Sequence, residues 1–209
     1  MAEQVRRLEC YRAAKRIFAT PAHILRQVRI NALVDGKELL MPAPGLKEGF
    51  LCIAPFTVPF SKLAYAVTPK GMADHGRRVS MEELSKAPVG LLFTDFVVAD
   101  RSGGFVGDGK GFFDLAVGVL ARLGALPADA ETIGFGMDAQ VVDEEILLDS
   151  WDVRLNRVVT EAGLTRCSEV QPAAAAIHWE SLTADRIRKI SPLWKLSGQV
   201  REKSGAVNE

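Results

Sequence analysis

Residues 89–123 read VGLLFTDFVVADRSGGFVGDGKGFFDLAVGVLARL, and this stretch contains the pattern that decides the fold. The apolar run from Val89 to Ala99 predicts a central strand of a parallel sheet, because such strands are buried on both faces. A glycine-rich loop follows at residues 103–111, and the spacing of apolar residues from Leu115 to Leu123 predicts a helix. Strand, glycine loop and helix in this order are typical of sheets whose ligands bind at the carboxyl ends of the strands.

The glycine loop has five glycines within its nine residues, 103–111. Glycine tolerates positive φ and lets the backbone approach a ligand closely. At a helix N-terminus, backbone N–H groups and the helix dipole attract anions, of which phosphate is the usual one. Asp114 then supplies a carboxylate suited to a metal ion. The alternative is a loop that only reverses the chain, because the sequence matches neither the Walker pattern nor the dinucleotide fingerprint.

Composition limits the class of protein. The 209 residues are 48% hydrophobic, enough for one well-filled α/β core, so a single domain over residues 1–209 is predicted. Basic and acidic residues both number 26, and this zero net charge favours neither nucleic acid nor an anionic membrane as partner. No apolar run is long enough to cross a bilayer. The widely spaced Cys10, Cys52 and Cys167 indicate reduced thiols in a cytoplasmic protein, without a zinc site.

The rest of the chain predicts further α/β elements. Residues 2–14 predict a short basic helix, and Arg16–Thr20, Ala22–Val34 and Lys37–Met41 predict the strand, helix and strand of a parallel βαβ unit. The other predicted elements are strands at Phe50–Ala54, Thr132–Gly136 and Arg157–Thr160, a helix after Ser80 and a helix near Thr183–Ile190. Residues 169–198 form a predicted C-terminal extension, and residues 199–209 are predicted to be disordered.

Three polar features leave alternatives open. Asp95, inside the apolar run, is either a buried polar residue with a local partner or a contributor to the site. The acidic segment from Asp143 to Asp152 is either a solvated face or a ligand loop that follows a strand. The histidines lack a serine, cysteine or second histidine at motif spacing, and His75 is the best candidate for a site residue among them.

Two patterns resemble the 5-formyltetrahydrofolate cyclo-ligases, also called methenyltetrahydrofolate synthetases. One is the glycine loop followed by two aromatic residues and an aspartate, Gly107 to Asp114. The other is an aspartate before a hydrophobic strand that ends in Val-Thr, from Trp151-Asp152 through Val159-Thr160. The likeness spans roughly residues 15–160. It implies a three-layer α/β/α domain with a mostly parallel sheet, of the class shared with sugar-phosphate isomerases and coenzyme A transferases.

The resemblance also implies an activity and a site. The family's enzymes use Mg-ATP to close 5-formyltetrahydrofolate, a small-molecule substrate, into 5,10-methenyltetrahydrofolate. On this sequence, Lys110 and Asp114 would be catalytic, Asp114 and Asp152 would ligate Mg²⁺, and Phe112 would contact the folate. The ATP phosphates would lie against Gly107, Asp108, Gly109, Lys110, Gly111, Phe112 and Phe113.

The sequence departs from the family pattern at three places. Phe105 and Asp108 stand where a basic residue is usual, and Thr20-Pro21 stand where a glutamate is usual. The basic helix before the first strand is short, with Arg6, Arg7, Arg12 and Lys15 as possible substitutes for its cations. The alternatives are therefore a non-catalytic module that binds a nucleotide or phosphate, and an enzyme with a different substrate. A monomer and a homodimer are both compatible with the sequence.

Overall fold

The computed structural model of the chain describes residues 1–168 and 176–205. Its helices are α1 (Ala2–Arg6), α2 (Glu9–Ala13), α3 (Arg26–Val34), α4 (Leu63–Ala66), α5 (Pro69–His75), α6 (Met81–Lys86), α7 (Phe112–Arg122), α8 (Ala184–Lys189) and α9 (Ser191–Gly205). Its strands are β1 (Arg16–Ala19), β2 (Glu38–Pro42), β3 (Phe50–Ile53), β4 (Arg77–Val79), β5 (Leu91–Asp95), β6 (Val98–Asp100), β7 (Phe105–Val106), β8 (Glu131–Phe135), β9 (Val141–Val142), β10 (Arg157–Val159) and β11 (Leu164–Arg166). Within the described ranges, no helix is both long enough and apolar enough to cross a membrane.

The main sheet has eight strands in the order β11-β10-β8-β5-β1-β2-β3-β4. Its five central strands, from β10 to β2, run parallel, and the strands at the two edges pair antiparallel. The predicted βαβ unit is present, since β1 and β2 pair in parallel with Ile17 opposite Leu39 and are joined through α3. The predicted α/β class with a mostly parallel sheet is therefore confirmed.

Helices cover both faces of this sheet, which gives three layers. Alternate side chains of β5 enter opposite cores, Leu92 on one face and Phe93 on the other. The core around Leu92 includes α7 and the buried side chains of α9, whereas the core around Phe93 includes α3, α4, α5 and the two N-terminal helices. Each fully buried large apolar side chain stabilises such a core by about 1.5–3 kcal/mol.

The predicted single strand from Val89 to Ala99 is wrong in one respect. The chain leaves the main sheet after Asp95, and the residues from Val98 form β6 in a second, three-stranded sheet with β7 and β9. Gln140 donates hydrogen bonds from its side chain to the backbone carbonyls of Phe96 and Val97 at the break. Both halves of the run are apolar, so hydrophobicity alone cannot separate them.

Other boundaries also differ from the predictions. The strand predicted at Thr132–Gly136 is present as β8, which begins and ends one residue earlier, and a 3₁₀ turn at Asp138–Gln140 separates it from the short β9. The predicted helix over residues 2–14 is two helices, because the chain takes an extended conformation at Leu8. Disorder was predicted from residue 199, but α9 continues to Gly205, and residues 206–209 lie outside the described residues.

Candidate phosphate and metal site

A cavity of about 740 Å³ lies at the carboxyl ends of the parallel strands. In the main sheet, β2 to β4 lie on one side of β1, and β5, β8 and β10 lie on the other side. The strand order therefore reverses between β1 and β5. Thr20, which follows β1, and Asp95, the last residue of β5, both line the cavity. Open α/β sheets bind ligands at such a reversal, and the volume is in the range typical of small-molecule sites, ~300–1,000 Å³.

The glycines of the loop serve two different purposes. A Cβ on Gly103 would lie 2.2 Å from the carbonyl oxygen of Leu155, and one on Gly104 would lie 2.4 Å from Asp100 Oδ2, so packing requires both glycines. A Cβ on Gly107 or Gly109 would meet nothing within 4 Å, although both residues line the cavity. The positive φ of Gly109, 74°, itself favours glycine. Neither packing nor a positive φ explains Gly107, whereas close approach of a ligand to the backbone does.

Gly111 connects the loop to the helix. It has a left-handed backbone, with φ of 63°, and forms the N-cap of α7 without a capping side chain. The side chain of a larger residue would be strained at this φ, so glycine suits the position. The unpaired N–H groups of the first turn of α7 therefore begin at the wall of the cavity, where an anion is favoured.

Asp108 and Lys110 pair with each other. Asp108 Oδ1 accepts a hydrogen bond from the backbone N–H of Lys110 at 3.0 Å, and Asp108 Oδ2 lies 3.1 Å from Lys110 Nζ. The hydrogen bond from the Lys110 backbone is the main reason that the pKa of Asp108 is lowered. Asp108 lines the cavity, while the Lys110 side chain is exposed outside the set of lining residues. The phosphate-binding role of Lys110 therefore stays a prediction, and it requires the ammonium to leave this carboxylate.

Aromatic side chains form the base of the loop. The ring of Phe113 lies 6.0 Å from both Phe18 and Phe105, measured between ring centres, and Phe112 lines the cavity beside it. Phe105 is buried in the core at the position where the resembling family carries a basic residue. A core position does not suit a cation, because burial of an unpaired charge is strongly unfavourable.

Asp114 and Asp152 both line the cavity, as a shared metal site requires. Asp114 Oδ1 accepts a hydrogen bond from the Val153 backbone at 3.2 Å, and Asp152 Oδ2 accepts one from Asp149 at 2.9 Å. Burial raises the pKa of Asp114, and the negative charge of Asp152 raises it further. A cation would relieve both effects.

The donor set fits Mg²⁺. This ion is commonly held by one or two carboxylates together with phosphate oxygens and water, rather than by an all-protein cage. No cluster of three or more His, Cys, Asp or Glu suited to a metal occurs in the part of the chain that the structure describes. Two carboxylates beside a phosphate-sized loop are thus a suitable arrangement for a metal that arrives with a nucleotide.

Asp95 has a local partner and also lines the cavity. Its Oδ1 accepts a hydrogen bond from Thr20 Oγ1 at 3.2 Å, which gives it the local partner of the first alternative, and its contribution to the site stays a prediction. The loop after β1 is fixed by the buried Arg29, whose Nη1 donates to the carbonyls of Thr20 and Ala22 at 2.5 and 2.8 Å. Burial lowers the pKa of Arg29 to about 10.

Sequence reasoning missed Arg29, but a signal was present. Leu25, Arg29 and Leu33 follow one another at intervals of four residues, which places the arginine on the apolar face of α3. A basic residue on the buried face of a helix needs acceptors, and here backbone carbonyls of a cavity-lining loop supply them.

Asp100 is a second residue that the sequence did not reveal. Its Oδ1 accepts hydrogen bonds from the backbone N–H groups of Ser102 and Gly104 at 2.7 and 2.9 Å, and its Oδ2 accepts one from Ile146 at 2.7 Å. Burial acts to raise its pKa, but these hydrogen bonds outweigh burial and the pKa is lowered. Asp100 thus joins the glycine loop to the acidic segment, which lines the cavity in part through Ile146. That this segment is a ligand loop stays a prediction.

Other candidates lie away from the cavity. His75 ends α5 with its ring 6.0 Å from that of Tyr65, and it does not line the cavity. The four basic residues proposed as substitutes near the N-terminus are also absent from the cavity wall. One of them, Arg6, pairs with Asp35 at 2.5 Å, beside the end of α3.

Comparison with known proteins identifies relatives. The model of the 5-formyltetrahydrofolate cyclo-ligase family matches residues 1–161. The chain is 26% identical over 201 residues to the methenyltetrahydrofolate synthase domain-containing protein of Bos taurus, covering 95% of this chain and 52% of that protein. The corresponding protein of Danio rerio is 26% identical over 196 residues (92% and 51%), and that of Homo sapiens is 22% identical over 203 residues (96% and 52%). The chain therefore spans about half the length of the curated relatives it matches.

Proposed function

The chain belongs to the 5-formyltetrahydrofolate cyclo-ligase family, and from this premise we propose that it converts 5-formyltetrahydrofolate to 5,10-methenyltetrahydrofolate with Mg-ATP. The observation that carries the proposal is the meeting of Asp114, Asp152 and the glycine loop at one cavity. A module that only binds phosphate has no need of two carboxylates at its site, where the charge of Asp152 helps to raise the pKa of Asp114.

The proposed reaction transfers a phosphoryl group and then releases it. The formyl oxygen takes the γ-phosphoryl group of ATP and ADP is released. N10 of the folate then attacks the activated carbon and gives up its proton, and phosphate leaves as the ring closes. Such chemistry depends on the positioning of the phosphates and on neutralising their charge more than on covalent steps by the protein.

Each part of the site has a role in this proposal. The N–H groups of Gly107, Gly109 and Gly111 bind phosphate oxygens, because these glycines leave the backbone accessible. Asp114 and Asp152 hold Mg²⁺, which when bound neutralises phosphate charge. Lys110 adds a cation once it separates from Asp108.

The remainder of the cavity suits a folate. Most of its wall is apolar, and Phe112 offers an aromatic face on which a flat pterin ring can pack. Asp95 lies in this wall with a carboxylate that can accept hydrogen bonds from adjacent N–H groups, such as those of an aminopyrimidine ring. We therefore propose that Asp95 recognises the pterin, in the absence of a glutamate at Thr20-Pro21.

A second candidate is a non-catalytic nucleotide- or phosphate-binding module. One observation favours it: the negative Asp108 lies at the cavity and pairs with Lys110, while the buried Phe105 replaces a cation. Like charges near a triphosphate repel by roughly 1 kcal/mol at 4 Å even in water. Such a module would bind a nucleotide or phosphate without turnover.

A direct assay separates the two candidates. Purified protein is mixed with Mg-ATP and 5-formyltetrahydrofolate, and the near-ultraviolet absorbance of the methenyl product is followed. We expect ATP-dependent turnover that Asp114→Asn abolishes. The control is Asp143→Asn, which removes an exposed carboxylate that pairs with Arg101 outside the cavity. Binding of Mg-ATP without product at high protein concentration would instead exclude this reaction and leave the non-catalytic module or an enzyme with a different substrate.

The proposal includes a cytoplasmic location, which the three free thiols at Cys10, Cys52 and Cys167 support. It also includes a monomer or a homodimer, which size-exclusion chromatography with light scattering distinguishes. Neither point affects the assay above.

A further inference from the structure

The C-terminal segment, residues 176–198, contacts the glycine loop through one side chain. Arg186 in α8 donates a hydrogen bond from Nη2 to the backbone carbonyl of Lys110. The same guanidinium lies 5.3 Å from the centre of the Phe112 ring. Arg186 therefore contacts both neighbours of Gly111, the residue from which α7 begins.

Packing of the segment, rather than the loop, sets the position of Arg186. The hydroxyl of Thr183 caps α8 by accepting a hydrogen bond from the Arg186 backbone at 3.2 Å. Ile187 packs against the core around Leu92, and the side chain of Ile190 is buried in the same core. The guanidinium thus extends from a backbone that is held independently of any ligand.

The hydrogen bond to Lys110 also fixes the orientation of the next N–H group. The peptide bond between Lys110 and Gly111 is trans, so its C=O and N–H point in opposite directions. The carbonyl points towards α8, and the N–H of Gly111 therefore points away from α8. Gly111 lines the cavity, whereas Arg186 does not.

We propose that Arg186 is a positioning residue for phosphate binding, which holds the Lys110–Gly111 peptide so that the Gly111 N–H is available to a phosphate. The proposal rests on the proposed function, because it assumes that the glycine loop binds the phosphates of ATP. Arg186 lies beyond residues 1–161, so the family match does not assign it. The contact also gives the C-terminal segment a role at the site.

The test measures the dissociation constant of Mg-ATP by isothermal titration calorimetry. We expect Arg186→Gln to weaken binding about tenfold, in line with loss of one hydrogen bond from a charged donor. Arg186→Lys should lose about two- to fivefold, because an ammonium can donate to the carbonyl but lacks the planar fork that stacks on a ring. Arg188→Gln is the matched control, since Arg188 is exposed on the same helix.

Two further readouts separate positioning from other roles. Thermal unfolding midpoints of the Arg186 and Arg188 variants should match, because a merely structural residue would lower the midpoint. The ratio of the Mg-ATP dissociation constant of Arg186→Gln to that of the wild type should be the same at low and high salt. A direct contact between the guanidinium and phosphate would be screened and the ratio would shrink.

The outcomes are distinct. Equal affinities of Arg186→Gln and Arg188→Gln, with a wild type that binds Mg-ATP, would overturn the proposal and leave the proposed function standing. A wild type that fails to bind Mg-ATP would overturn both. If Arg186→Gln does not fold, Arg186→Lys decides: weakened binding supports the positioning role, and wild-type affinity refutes it.

Discussion

Replacement of Asp108 by asparagine should strengthen the binding of Mg-ATP. Asp108 lines the cavity beside the glycine loop, and its negative charge opposes a triphosphate there. Asparagine keeps the side-chain oxygen that accepts the hydrogen bond from the Lys110 backbone, so the loop should retain its conformation. It also releases Lys110 Nζ from its ion pair, which acts in the same direction.

The size of this effect follows from the exposure of the carboxylate. The Asp108 side chain is 57% exposed, so a water-like dielectric applies. Two unit charges about 4 Å apart then interact by ~1 kcal/mol, and salt reduces this value. We therefore expect a gain of about 0.5–1 kcal/mol, or a two- to fivefold lower dissociation constant.

Isothermal titration with Mg-ATP at low and high ionic strength measures the effect. Asp143→Asn is the control, because it removes an exposed carboxylate that also pairs with a basic side chain but does not line the cavity. The gain for Asp108→Asn should shrink as salt is raised, while the control stays at wild-type affinity throughout. Unchanged or weaker binding of Asp108→Asn at low salt would refute the reasoning, because the phosphates could not then lie beside this loop.

Three further predictions concern the site. The folded-state pKa of Asp114 is raised, so its ionised form destabilises the fold at neutral pH. Asp114→Asn should therefore raise the thermal unfolding midpoint of the metal-free protein. The same substitution should abolish the stabilisation that Mg-ATP gives. The gain in midpoint should vanish as pH falls through the folded and then the ordinary pKa. Gly107→Ala should unfold at the wild-type temperature but bind Mg-ATP at least about tenfold more weakly, because the new methyl group meets no protein atom and enters the phosphate position. Asp100→Ala should lose about 2–4 kcal/mol of unfolding free energy at neutral pH, because it leaves the backbone N–H groups of Ser102, Gly104 and Ile146 without their acceptor. Urea titration measures this loss.

Each of these has its own control and contrary result. For Asp114, equal gains in midpoint at pH 7 and at pH 3 would contradict the role of its charge. Gly90→Ala, also open to a methyl group but outside the cavity wall, should leave ATP binding unchanged, and equal binding by Gly107→Ala would remove the phosphate from this loop. For Asp100 the lowered pKa implies stability that is present above the ordinary aspartate pKa and lost as pH falls through the folded value, so a loss independent of pH would contradict the assignment.

Local patterns were sufficient for much of the fold. The apolar residues of α3 and α7 recur at helical spacing, and β1, β2 and β5 are short apolar runs bounded by turns, so each element was predictable from its own sequence. Local patterns were insufficient where one apolar run forms strands in two different sheets. The run from Val89 to Ala99 is equally apolar on both sides of its break, and only pairing with β7 and β9 separates β6 from the main sheet.

The site was predictable to the extent that it is local. Gly107 to Asp114 is contiguous, and the backbone freedom of its glycines and the position of Asp114 in the first turn of α7 follow from the sequence alone. That Asp152 lies at the same cavity was implied by the resemblance to a family and not by any local pattern.

The sequence by itself determined a parallel α/β sheet with a glycine loop at a helix N-terminus, because these depend on interactions among residues close together in the chain. Only the tertiary structure decided which other groups meet that loop. Arg186 contacts Lys110 across 76 residues of chain, and Asp100 links the loop to Ile146 across 46 residues. Asp95 lines the same cavity from the end of β5. Contacts of this kind depend on how elements assemble, and the local spacing of residues carries no record of that arrangement.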